Sequence, residues 1–297
     1  MKKLIVIAGP TASGKTSLAV ALAKQLKAPV ISADSRQFYK ELSIGTAKPS
    51  AEEMDGIPHY FIGSHSIHDA LTAGQYEKQA LAKTEELFKL HDYIILVGGS
   101  GMFINALIYG TDQLPHEPKV REFWNTEFKQ RGIEFLQEKL KSADPEFFAE
   151  VDKANPVRLI RALEIIEITG QPYSTLRKQN KKVPRYNTHY FVIDHPREEL
   201  YNRINQRVDN MIEEGLIAEV RKHQEFQNLQ ALNTVGYKEI FEYLNYNIAY
   251  ERAIELIKQN TRRYAKRQLT WFRKEENAIW LTPVNQESMI QSILSTL

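Results

Sequence analysis

The apolar run Leu4–Ala8 passes directly into GPTASGKT at Gly9–Thr16, and then into a helical pattern with Leu18, Ala19, Leu22, Ala23 and Leu26 on one face. That order constrains the fold more than any other feature of the chain. A strand, a glycine loop fitting G-x-x-x-x-G-K-[ST] and a helix together make a phosphate site. The loop amides and the helix N-terminus converge on a phosphate or diphosphate. Gly9, Pro10, Thr11, Ala12, Ser13 and Gly14 are the expected cradle, with Lys15 as its point charge and the Thr16 hydroxyl as a Mg²⁺ contact. The motif specifies a polyphosphate and leaves its bearer open.

Strand and helix continue to alternate. Val30–Ala33 is a short apolar run ending at Asp34. Ala73–Leu90 reads as an amphipathic helix striped by Tyr76, Ala80, Leu87 and Phe88. Tyr93–Val97 is a buried-strand run closed by Gly98-Gly99, and a helix resumes at Met102. The alternation predicts an α/β fold, a P-loop NTPase-like parallel sheet flanked by helices. Ligands in such sheets lie beyond the carboxyl ends of the strands, so the loops at Gly9, Asp34 and Gly98 should converge. After Tyr109 the pattern changes. Pro115 and Pro118 interrupt the chain, and Lys119–Thr169 is helical, with Phe123, Phe128, Ile133, Phe135, Leu136, Leu140, Phe147 and Phe148 as apolar positions. Asn155-Pro156 reads as a cap and first-turn proline, and Gly170 and Pro172 end that helix. Strand His189–Ile193 should return to the sheet, the helix Tyr250–Lys274 should follow, and Ala278–Leu281 should add a last strand. The expected organisation is a core over 1–114, an α-helical insertion domain over 115–186, and the second part of the core, mostly helical, over 187–297.

Composition narrows the class. The chain has 297 residues and no cysteine, which excludes disulfides and cysteine zinc sites. Its eight histidines show no metal-ligand spacing. The apolar run after Met1-Lys2-Lys3 is too short for a signal peptide, and nothing approaches a membrane span. A cytoplasmic protein is expected. The net charge is only +2, but it is unevenly spread. Residues 1–150 carry 17 basic and 19 acidic side chains, whereas 151–297 carry 22 and 18. Arg177–Arg185 holds five basic residues in nine with no acid, and Leu256–Lys274 holds seven with no acid. Such stretches suit a polyanion such as nucleic acid, or a solvated face.

A phosphate loop most often serves a kinase or NTPase, which places an aspartate after a second apolar strand to hold Mg²⁺. Here Tyr93–Val97 runs into Gly98-Gly99-Ser100-Gly101 instead. The acid at a strand end is Asp34, which suits a base, a metal-shell ligand or a turn cap.

ISADSRQFY with IGTAKP at Ile44–Pro49, LVGGSGMF, NPVRLIRALEI at Asn155–Ile165, TVGYKEI at Thr234–Ile240 and RRYAKRQLTWFRK at Arg262–Lys274 follow the phosphate loop in order. This set closely resembles the bacterial tRNA dimethylallyltransferases, or tRNA isopentenyltransferases, over residues 3–282. The resemblance implies transfer of a dimethylallyl group from dimethylallyl diphosphate to the N6 amine of the adenosine 3′ of the anticodon in tRNA. It assigns Asp34 as general base and Lys15, Thr16 with Mg²⁺, and the loop amides as stabilisers of the departing diphosphate. Thr11 is a further donor contact. Arg207 in RINQRVDNMIEEGL matches a family arginine on the diphosphate, with Arg203 one turn away as the competing assignment. Asp34, Ser35, Arg36, Gln37 and Ser100 fall at tRNA-contacting positions, as do Arg121, Arg158 and Arg161 in the insertion. Arg262, Arg263, Lys266 and Arg267 suit the anticodon stem, while Trp271 and Phe272 read as core. Ser100 replaces a common threonine, and Phe103 a common tyrosine. A monomer is expected, because tRNA supplies the large interface. A small-molecule kinase, a free-nucleotide prenyltransferase and a non-catalytic RNA-binding protein are the alternatives. The insertion and the basic helix favour a macromolecular acceptor.

Overall fold

The computed structural model describes residues 2–69, 71–111, 114–179 and 183–297. Within the basic run 177–185, residues 180–182 and the Lys178 side chain lie outside the described residues. Among the described residues the strands are β1 (Lys3–Ala8), β2 (Val30–Ser32), β3 (His59–Tyr60), β4 (Tyr93–Gly98), β5 (Asn187–Ile193) and β6 (Ala278–Leu281). They form one sheet in the order β3-β2-β4-β1-β5-β6, and every pairing is parallel. Leu4, Ile5, Val6, Ile7, Ile94, Ile95 and Leu96 are fully buried. Unbroken apolar runs of this kind are what a parallel sheet covered on both faces demands. Because β1, β4 and β2 are parallel neighbours, the loops leaving Gly9, Asp34 and Gly98 emerge along one edge.

The helices in chain order are α1 (Lys15–Leu26), α2 (Ala51–Met54), α3 (Ala73–Leu87), α4 (Gly101–Tyr109), α5 (Pro118–Ala143), α6 (Pro145–Glu150), α7 (Pro156–Thr169), α8 (Tyr173–Gln179), α9 (Arg197–Glu213), α10 (Leu216–Arg221), α11 (Tyr237–Leu244), α12 (Tyr250–Phe272) and α13 (Gln286–Leu294). Leu4, Val6, Ile94 and Leu96 pack with α3, α4 and Phe272 on one face of the sheet. Ile5, Ile7, Ile95 and Val97 pack with α1 and α13 on the other. A third cluster joins Tyr39 and Leu42, after β2, to Val208, Leu216, Tyr237, Ile240 and Ile257 of α9–α12. The helix expected over Leu216–Gln227 stops at Arg221 and gives way to 3₁₀ turns at Gln224–Phe226 and Gln230–Leu232.

The chain divides into two compact units, Met1–Gly110 with Pro184–Leu297, and Thr111–Val183. The second has its own core of Trp124, Leu136, Leu140, Phe147, Leu159 and Leu163. Its α5 is broken at Gly132, where φ is 80°. Buried Asp144 ties the unit together by accepting from the Phe147 N–H at 3.0 Å and from the Ser174 N–H and hydroxyl at 2.7 and 2.8 Å. Asn155 caps α7 through the Arg158 N–H, Pro156 opens it, and Gly170 ends it in a left-handed turn. Phe123, expected inside, is 52% exposed. Adjacent helical positions point about 100° apart, and Trp124 takes the inward one.

Candidate active site

The phosphate loop reverses tightly, with φ of 63° at Ala12 and 86° at Gly14. Gly14 takes that left-handed angle at no steric cost. The loop carbonyls are tied down one by one. Lys15 Nζ donates to Pro10 O at 2.6 Å, Arg203 Nε to Ala12 O at 2.8 Å, and Ser17 Oγ to Gly14 O at 2.9 Å. His195 Nε2 lies 3.0 Å from Ser13 O, and its Nδ1 is 2.9 Å from Glu199 Oε1. Among the described residues the N–H groups of Ala12, Gly14, Lys15 and Thr16 have no partner. They are the orphan donors that a helix N-terminus offers to an anion.

Thr11 differs, because its N–H is spent on Gln268 Oε1 at 3.0 Å. The same amide donates from Nε2 to Gly99 O at 2.7 Å. Gln268, buried on α12, thus clasps the phosphate loop to the glycine turn after β4. Sequence reasoning gave it no role, although it stands in the quoted motif RRYAKRQLTWFRK.

Asp34 stands half-buried beyond β2. Its Oδ1 accepts the Arg36 N–H at 3.0 Å, and among the described residues Oδ2 accepts no hydrogen bond. Lys15 and Arg207 both sense its charge. Burial lowers the Lys15 ammonium to about 8, Asp34 opposes that shift, and nearby Arg207 adds to it. Arg207 is likewise lowered, mainly by burial, against Asp34, Glu53 and Glu214. Its Nε is buried with no partner among the described residues. Two partly desolvated cations beside one carboxylate are a site short of negative charge. Arg203 and Arg207 lie one turn apart on α9, and their roles differ. Arg203 braces the loop from outside, whereas Arg207 keeps an unused donor.

The residues expected at tRNA are placed unevenly. Arg36 donates to the carbonyls of Gln230, Ala231 and Asn233 at 3.1 to 3.3 Å. Gln37 donates to Thr46 O and Ala47 O at 3.3 and 2.9 Å. Ser35 is half-buried. Ser100 begins α4 without capping it, and its N–H reaches Ala33 O at 3.4 Å, beside Asp34. In the second unit, Arg121 and Arg161 both hold Glu164, at 2.9 and 3.0 Å. His116 Nδ1 is 2.5 Å from the other oxygen of this fully buried carboxylate. Arg158 is exposed and takes no part in that cluster. Glu219 is a further organiser that the sequence did not reveal. It accepts from three consecutive amides, Ser43, Ile44 and Gly45, at 2.8 to 3.0 Å, and from the Tyr237 hydroxyl at 2.5 Å. It thereby holds the IGTAKP loop on which Gln37 rests.

One aromatic of α12 departs from expectation. Phe272 is core, but Trp271 is 40% exposed, because adjacent helical residues cannot both face the sheet. The Tyr264 hydroxyl is pushed up to about 12 by burial and by Asp34, against the opposing charges of Arg36 and Arg267. Tyr264 therefore also borders the carboxylate.

Residues 37–275 match the family model described as IPP transferase. The chain is 48% identical over 283 residues to a tRNA dimethylallyltransferase of Cytophaga hutchinsonii, covering 95% of this chain and 93% of the relative. It is 46% identical to that of Flavobacterium johnsoniae, covering 94% and 93%. Among solved structures, a tRNA isopentenylpyrophosphate transferase of Bacillus halodurans superposes with a TM-score of 0.75 at 38% identity, covering 100% of this chain and 95% of that one. A eukaryotic dimethylallyltransferase acting on tRNA gives 0.83 at 25%, covering 99% and 78%.

Proposed function

Because the chain belongs to the IPP transferase family of tRNA dimethylallyltransferases, we propose that Gly9–Thr16 holds the diphosphate of dimethylallyl diphosphate and that Asp34 deprotonates the N6 amine of the adenosine 3′ of the anticodon. The enzyme is a prenyltransferase acting on tRNA. In the reaction the allylic C–O bond breaks, a C–N6 bond forms, N6 loses a proton and diphosphate leaves. An adenine amine is a weak nucleophile, since its lone pair is delocalised into the ring. Asp34 Oδ2 is the open acceptor for the departing proton. Negative charge grows on the diphosphate as the bond breaks. Lys15, the orphan amides and the unused Arg207 Nε are fixed donors for it.

The observation that carries this reading is that the phosphate loop with its unpaired amides and Lys15 shares one sheet edge with Asp34, while Arg207 keeps a buried Nε without a partner among the described residues. An anionic leaving group satisfies the cations, and a base is what remains. No phosphate is transferred, so the missing kinase aspartate after β4 is not needed.

The donor set fits Mg²⁺. Among the described residues the Thr16 hydroxyl has no hydrogen-bond partner, and no cluster of three acidic or histidine ligands is built. That suits an ion shared between one hydroxyl and substrate oxygens. Mg²⁺ there would neutralise charge on the departing diphosphate.

The tRNA is proposed to be held by Asp34–Gln37 and Ser100 at the site, and by Arg121, Arg158 and Arg161 from the insertion. In this reading Arg36 and Gln37 act with their neighbouring loops rather than as free side chains. Among the described residues no helix is long and apolar enough to cross a membrane. A cytoplasmic monomer fits a tRNA substrate.

The test is nucleoside mass spectrometry of unmodified bulk tRNA after incubation with the protein, Mg²⁺ and dimethylallyl diphosphate. Asp34→Ala and free AMP run beside it. A dimethylallyl gain on tRNA adenosine, lost in Asp34→Ala and absent on AMP, is expected. A gain on AMP overturns the tRNA assignment.

A further inference from the structure

Trp271 is exposed where an ordinary core tryptophan would be covered. Its indole sits against the start of α4 at Gly101. A methyl group built on Gly101 would sit 2.0 Å from Trp271 Cδ1 and Nε1, so only glycine leaves room for the ring there. Gly101 follows Ser100, whose N–H is bonded to the residue before Asp34. Met102, the next side chain, is 51% exposed. Trp271 thus leaves apolar surface open where α12 meets the start of α4.

Exposed cations flank Trp271 along its own helix and just past its end, before Glu275 and Glu276. Lys266, Arg267, Arg273 and Lys274 are all exposed. None of the four has an ion-pair partner among the described residues. Tyr264, Gln268 and Trp271 stand at i, i+4 and i+7, a single stripe of α12. Tyr264 borders Asp34, Gln268 clasps Thr11 and Gly99, and Trp271 rests on Gly101. An aromatic face among unpaired cations is the chemistry that grips single-stranded nucleic acid, with charge for the backbone and the ring for a base. We propose that Trp271 is a stacking platform for a nucleotide neighbouring the target adenosine in the anticodon loop. This rests on the tRNA reading above and assigns an exposed residue that catalysis does not use. Seated on glycine backbone, the ring is held before RNA arrives.

The test measures binding of a fluorophore-labelled anticodon stem-loop to full-length Trp271→Ala, Trp271→Leu and Trp271→Phe proteins over a salt series. Loss of the ring should weaken binding roughly 5- to 100-fold with an unchanged salt slope, and Phe should restore most of it. Dimethylallyl diphosphate affinity should stay within about twofold. A Trp124→Phe/Trp280→Phe protein leaves Trp271 as its sole tryptophan. Its fluorescence should quench on adding the stem-loop and become shielded from acrylamide. Unchanged affinity in Trp271→Ala and Trp271→Leu, or a Trp271 signal indifferent to RNA, overturns the platform. Wild-type protein that binds and prenylates no tRNA overturns the underlying reading instead, so the two failures are distinguishable.

Discussion

At the scale of single residues, the proposed reaction assigns proton removal and charge stabilisation to different groups. Asp34 has one oxygen engaged by its own turn and one open. Asp34→Asn keeps the shape and removes the base. Single-turnover transfer should slow by roughly 10²–10⁴. Equilibrium binding of dimethylallyl diphosphate should hold or tighten, because a negative charge leaves the cradle's neighbourhood. Lys15 gives the complementary signature. Burial brings its ammonium down to about 8 in the unliganded protein, so its charge is present below that pH and lost above it. The kcat/KM for the donor, which reports the free enzyme, should fall as pH rises through about 8. Lys15→Arg should remove that limb while lowering the overall rate. Stability runs the other way. Between the folded value and the ordinary lysine value of 10.5 the unfolded chain binds more protons, so the unliganded protein should melt at higher temperature as pH rises through that window. The positions of Lys15 after β1 and of Asp34 after β2 were legible in the sequence, because the motif and its flanking apolar runs fix where they stand. The division between Arg203 and Arg207 was not. Both lie on one face of α9, and what separates them is the Ala12 carbonyl reached by Arg203 and the buried, unpartnered Nε of Arg207.

At the scale of elements, α12 connects most of the site. Its residues touch the loops after β1 and β4 and border the carboxylate after β2. The sequence showed that this helix is long and basic, and that β1, β2 and β4 end in loops with chemistry in them. It did not show how those loops are held, because the holding groups are distant in sequence: Gln268 from Thr11, Glu219 from Ile44, Arg36 from Ala231. Polar contacts over such separations leave no periodicity to read. The hydrophobic pattern likewise could not choose between Trp271 and Phe272, since both suit a core. Gln268→Leu leaves the Thr11 N–H and Gly99 O without their partner, each costing about 1–3 kcal/mol if it stays dry. Its kcat/KM should drop for both substrates, as loop and turn lose registry. Gln268→Glu can still accept from Thr11, but it faces the Gly99 carbonyl with another acceptor and sets a negative charge behind the cradle. Calorimetry should therefore show dimethylallyl diphosphate affinity reduced at least tenfold further than in Gln268→Leu. Equal losses in the two variants would mean that packing, not the directed amide, is what matters.

At the scale of the whole molecule, each compact unit carries its own apolar core, and the residues proposed to hold the donor, Gly9–Thr16 and Arg207, belong to the first. The second unit was visible in the sequence as a helical stretch bounded by prolines. Its polar centre was not, because Arg121 and Arg161 read there only as free cations for RNA. Glu164 is fully buried and meets Arg121, Arg161 and His116. Burial opposes its ionised form, but hydrogen bonds from Arg161, His116 and Arg121 more than offset this and hold its carboxyl below the usual range. Arg161 also donates to the carbonyls of Leu114 and Pro115, fixing the start of the unit. One carboxylate thus sets the direction of two arginines assigned to the tRNA backbone. Glu164→Ala removes the acceptor that Arg121 and Arg161 share; because both arginines keep some solvent contact, the cost should be about 1–3 kcal/mol. That loss should fall on the unit that contains it. The fluorescence of Trp124, buried in that core, should report unfolding at lower denaturant, read in a protein whose other tryptophans are replaced. Dimethylallyl diphosphate binding should be unchanged, because Gly9–Thr16, Arg207 and Asp34 belong to the other unit. Affinity for tRNA should fall, and the dependence of log K on log salt should flatten as ordered phosphate contacts are lost. Conversely, tRNA affinity that survived Glu164→Ala at low salt, with its slope intact, would show that the two arginines bind RNA without being aimed.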